Sequence, residues 1–75
     1  MLLTDADLRT LSSAMQRQQK ITLTRGMGDV HLTARTIKAP PVWGVDMLVQ
    51  VRVVASGIMW VQTFSNTGEI REAMG

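Results

Sequence analysis

The chain has 75 residues, no cysteine and a formal net charge of +2, which describes one small domain with a marginal core and no disulfide to stiffen it. The absence of cysteine excludes thiolate metal sites, and no run approaches the ~18 apolar residues of a membrane span. The opening MLLTDADLR lacks the basic and apolar regions of a secretory signal, so the expectation is a soluble, cytoplasmic protein spanning residues 1–75 as a single unit.

The first element is a helix, expected over about residues 5–19. Thr4 is the N-cap, with Asp7 three positions on as a weak capping box, and Leu3 and Leu8 are placed for a hydrophobic staple. Leu8, Leu11 and Met15, with Ala14 beside them, form its apolar stripe. Asp5 and Asp7 complement the positive end of the dipole, and Arg17 and Lys20 the negative end.

After the helix the period changes from 3.6 to 2. Ile21-Thr22-Leu23-Thr24 alternates as a half-buried strand does, and Gly26-Met27-Gly28-Asp29 reads as a turn. Val30, Leu32 and Ala34 then point inward and His31, Thr33 and Arg35 outward. Ile37 breaks that phase, which predicts a bulge or a strand end. Pro40-Pro41 stops the strand, and residues 39–44 form a stiff loop carrying Trp43.

Two longer strands follow in VDMLVQVRVVASGIMWVQTF, joined at Ser56-Gly57. A two-residue loop there sets Val53 opposite Trp60, Val51 opposite Gln62 and Val49 opposite Phe64, with Val54 opposite Met59 and Arg52 opposite Val61 on the other face. Trp60 and Phe64 are expected to face the core. Asn66-Thr67-Gly68 is a turn, and Glu69–Met74 is a short helix or a last edge strand, with the helix preferred. The order gives an α+β domain: an N-terminal helix packed on a four-stranded antiparallel meander sheet, with a possible short C-terminal helix.

The sheet face away from the helix shows Thr22, Thr24, His31, Arg35, Leu48, Arg52, Val54, Met59 and Val61. One half is polar and basic, the other apolar. No catalytic constellation assembles. His31 is the single histidine, no serine sits in a nucleophile-elbow motif, and His31 with Asp29 falls short of a metal shell. The Gly26-Met27-Gly28 run is followed by a strand, where phosphate-binding loops need a helix. The expectation is therefore a non-enzymatic protein with no cofactor, no metal and no small-molecule substrate.

The main expectation is a small protein that acts sterically on a protein partner or complex, as phage- or plasmid-encoded inhibitors of host complexes do. Its contact residues would be Trp43, Arg35, Arg52, Leu48 and Met59. The apolar half of the face is equally a surface for homodimerisation. An alternative rests on charge: between Arg9 and Lys38 six basic residues face one acid, Asp29. Lys20, Arg25, Arg35, Lys38 and Arg52 would then make a basic sheet face for nucleic acid, though the aromatic stacking platform of such faces is missing. A third reading is a small structural subunit of a larger assembly.

Overall fold

Thr4 starts the first helix because its side chain and that of Asp7 satisfy each other's backbone. The Thr4 Oγ1 accepts from the Asp7 N–H at 3.1 Å, and the Asp7 carboxylate accepts from the Thr4 N–H at 3.1 Å. The computed structural model describes residues 2–74. In it α1 spans Asp5–Gln16, β1 Thr22–Met27, β2 Val30–Lys38, β3 Met47–Ala55, β4 Ile58–Phe64 and α2 Thr67–Met74, with a single 3-10 turn at Pro41–Trp43. The four strands form one antiparallel sheet in the order β1-β2-β3-β4. This is the expected α+β meander, and the C-terminal segment is a helix.

Helix α1 ends three residues sooner than its sequence predicts. Gln18 takes a left-handed φ of 55°. The Gln18 N–H donates to the Met15 carbonyl, and the Gln19 N–H to the Ala14 carbonyl. That pair of bonds is a Schellman cap, which usually places glycine where Gln18 stands. Arg17 becomes the C-cap and Lys20 lies outside the helix.

Both helices pack on one face of the sheet. Leu3, Leu8 and Leu11 meet Leu32, Ala34, Val49, Val51 and Phe64, and Ile70 of α2 completes the cluster. Leu3 and Leu8, the two ends of the staple, are both buried there. An ion pair of 2.7 Å between Arg71 and Asp5 joins the helices at the surface.

Strand β2 runs in unbroken register from Val30↔Ala55 to Lys38↔Met47, with no bulge at Ile37. The inward slot belongs to Thr36. Its buried hydroxyl donates to the Gln19 carbonyl at 2.6 Å and accepts from the Ile21 N–H at 2.8 Å, which ties the α1–β1 connection to the sheet. A polar residue is tolerated at that core position because every polar atom there is satisfied.

The turn after β1 is shorter than expected. Gly26 and Met27 belong to the strand, and Gly28-Asp29 is the loop, with Gly28 at φ 61°. Gly26 faces His31, and a Cβ added to it would stand 3.4 Å from the His31 Nδ1. At the second hairpin Ser56 and Gly57 have φ of 50° and 78°, the two positive values that a type I′ turn requires. Among the described residues no helix is long and apolar enough to cross a membrane.

Candidate functional site

The pleat sends alternate side chains of each strand to opposite faces. The helix-side set is Leu32, Ala34, Thr36, Val49, Val51 and Phe64. The opposite set is His31, Thr33, Arg35 and Ile37 from β2, Leu48, Gln50, Arg52 and Val54 from β3, and Met59, Val61 and Thr63 from β4. Thr22, Thr24 and Gly26 of β1 share this outer face. With both helices on the other side, no helix covers it.

Arg35 and Arg52 occupy its centre. Arg52 is in register with Thr33 and Arg35 with Gln50, so the two arginines sit diagonally across neighbouring strands. The Arg35 Nε and Nη2 donate to the Gln50 Oε1 at 3.0 and 2.8 Å. The Arg52 Nε donates to the Met59 Sδ at 3.2 Å. Thr33, Arg35, Gln50 and Arg52 line a shallow cavity of about 280 Å³. No carboxylate lies on the outer face of any strand. Among the described residues neither arginine is ion-paired. A thioether and a neutral amide are weak partners for a guanidinium, so both cations keep most of their capacity for an incoming anion. Val54, Met59 and Val61 form the apolar flank toward the β3–β4 hairpin, with Met59 59% exposed.

Leu48 does not contribute to this surface. It has the expected outward parity but is only 2% exposed. Its register partner is Ile37, and the connection from Ala39 to Asp46 is closed beside it by a hydrogen bond from the Ala39 N–H to the Asp46 carbonyl. It is a core residue of the outer side. Trp43 is partly exposed in that connection, at the opposite end of the sheet from Met59. Leu48 and Val54, which bracket this distance, are six residues apart, or about 20 Å along an extended strand. Arg35, Arg52 and Met59 therefore form one patch, and Trp43 stands apart from it.

The five cations proposed for nucleic acid do not share a face. Arg25 points to the helix side, where its Nη2 and Nε bond the Asp7 carboxylate at 2.7 and 3.2 Å. The Arg25 hydrogen bonds, with help from the Thr4 N–H, hold Asp7 below the usual carboxylate range, and Asp7 in turn raises Arg25. Lys38 has helix-side parity at the end of β2, and Lys20 lies in the α1–β1 connection. Only Arg35 and Arg52 remain together.

The two aromatics of β4 differ in burial, against the expectation that both face the core. Phe64 is buried, but Trp60 is 39% exposed although it has helix-side parity. Its ring lies tilted against Phe64 with centroids 6.5 Å apart. The twelve residues of α1 reach about 18 Å, whereas the nine residues of β3 reach about 30 Å. The hairpin end of the sheet projects past the helices, leaving Ile58 73% exposed.

A larger groove of about 460 Å³ runs beside α1, lined by Ala6, Arg9, Thr10, Ser13, Ala14, Arg17, Gln19 and Ile21. The Thr10 hydroxyl is spent on the Ala6 carbonyl at 3.0 Å, and no histidine or carboxylate lines the groove to activate Ser13. No group of three or more potential metal ligands occurs among the described residues. No protein-family model, curated protein or solved structure matches this chain.

Proposed function

We propose that this protein works by binding another protein through the outer face of its sheet, covering a working surface of that partner sterically. The observation that carries this reading is the patch itself. Among the described residues Arg35 and Arg52 have no ion-pair partner, and they stand on a face whose strands carry no acid, bordered by Val54, Met59 and Val61. Arginine beside exposed apolar side chains is the composition of interface centres. The complementary partner surface is apolar with one or more carboxylates. Met59 supplies an adaptable contact, and the rigid hydrogen-bonded ladder beneath it keeps the ordering cost of binding low. Trp43, at the far end, is a rim contact for a large partner and falls outside a small one.

The test compares partner capture by the native protein, by Arg52→Glu and by Arg9→Glu, which changes the same charge on the helix side. Capture that is lost with Arg52→Glu and kept with Arg9→Glu supports the outer face. Equal capture by all three places the binding surface elsewhere. Nucleic acid is the competing partner, since the same two arginines suit a phosphate. Affinity for labelled DNA or RNA that drops steeply between about 50 and 200 mM salt would favour it.

A further inference from the structure

Strand β4 is an open edge of the sheet, and nothing in its sequence protects it. IMWVQTF has no charged residue and no proline, and its register with β3 is unbroken from Val49↔Phe64 to Ala55↔Ile58. Edge strands are ordinarily blunted by lysine, proline, bulges or a covering element. The other edge, β1, carries Arg25 and Gly26.

The hairpin determines which backbone groups of β4 are free. A two-residue loop makes Ala55 and Ile58 a hydrogen-bonded pair. Pairs then alternate along the ladder, so the N–H and C=O of Met59, Val61 and Thr63 point away from β3. None of these groups has another backbone partner among the described residues. A row of alternating donors and acceptors on an extended chain is matched by another extended chain.

We propose that this edge pairs antiparallel with β4 of a second copy, about a two-fold axis at Val61, joining two four-stranded sheets into one of eight strands. The strand is self-complementary in that register. Val61 meets Val61 and Met59 meets Thr63 on the outer face, while Trp60 meets Gln62 and Ile58 meets Phe64 on the other. No charges are opposed, so the like-charge cost of self-pairing is absent. The operator also sets the exposed Ile58 of each copy against the Phe64 end of the other, where α2 packs. The apolar tip that its own helices leave open thereby lies beside the helix-covered end of the second copy. The two outer faces become continuous.

Sedimentation equilibrium from low to high micromolar protein tests this, with circular dichroism as the control for folding. The native chain is expected to reach twice the chain mass. Val61→Lys sets two lysines opposite each other on the axis and is expected to abolish the dimer across the whole range. Val61→Pro is expected to do the same, because it removes an N–H that β3 does not use. Thr24→Lys, on the other edge strand, is expected to leave the dimer intact. A native chain that is monomeric throughout, or a folded Val61→Lys variant that still dimerises, overturns the proposal. Should Val61→Pro fail to fold, the lysine variant decides alone.

Discussion

Replacing Thr36 with valine keeps the side-chain volume and removes one hydroxyl. That hydroxyl bonds the Gln19 carbonyl at 2.6 Å and the Ile21 N–H at 2.8 Å in a residue that is almost fully buried. The bond from the Thr36 N–H to the Ile21 carbonyl, 3.0 Å, survives the change. Two backbone groups then lose their partner. Each costs about 1–3 kcal/mol when fully buried. These bonds are only part-buried, so water recovers some of the loss and the net cost is about 2 kcal/mol. A domain of 75 residues has a total stability of roughly 4–11 kcal/mol at about 0.05–0.15 kcal/mol per residue. The variant should therefore lose a large share of its stability, with a Tm lower by about 8–16 °C. Urea unfolding followed by tryptophan fluorescence measures this directly. Thr36→Ser keeps the hydroxyl and should lose only about 1 kcal/mol, for the methyl group. A Thr36→Val variant within ~0.5 kcal/mol of the native protein would refute the account of the α1–β1 connection.

Gln18→Gly should stabilise the protein by about 0.5–1 kcal/mol in the same assay, because Gln18 holds the left-handed φ of 55° at the helix cap. Asp7 titrates below its ordinary value of 3.8 in the folded state. Its stabilisation is therefore complete above that ordinary value and is lost as pH falls through the lower folded value. Asp7→Asn should flatten this acid limb in pH-dependent urea unfolding. At neutral pH it should cost about 1 kcal/mol, through the weakened cap. Leu48→Ala should cost about 2–5 kcal/mol in urea unfolding, the effect of a buried leucine. Loss of partner binding without loss of stability would instead return Leu48 to the surface.

The sheet was legible because its signals are local and agree. The alternation in Val30–Arg35 assigned those residues to their faces, and the Ser56-Gly57 loop set the register of the β3–β4 hairpin. The capping box and the staple marked the start of α1 for the same reason. Most of the misread places depend on contacts distant in sequence. Thr36 resembles a broken alternation until the backbone of Gln19 and Ile21 arrives beside it. Gln18 does the work that glycine usually announces, so the helix end had no sign in the sequence. Arg25 shares the inward parity of Ile21 and Leu23, and only the fold brings Asp7, eighteen residues away, to hold it on the helix side. Of the candidate site, Arg35, Arg52 and Met59 were readable from parity alone. The burial of Leu48 depends on its surroundings in the fold, and parity carries no information about those.

The outer face around Arg35 and Arg52 is proposed to bind a protein. The most direct measurement captures partners on the immobilised native chain and on an Arg35→Glu/Arg52→Glu double variant, quantifying the retained proteins side by side at equal loading. A protein-binding outer face predicts a partner that the native chain retains and the folded double variant releases. Retention of the same partner by both, in equal amount, would contradict it.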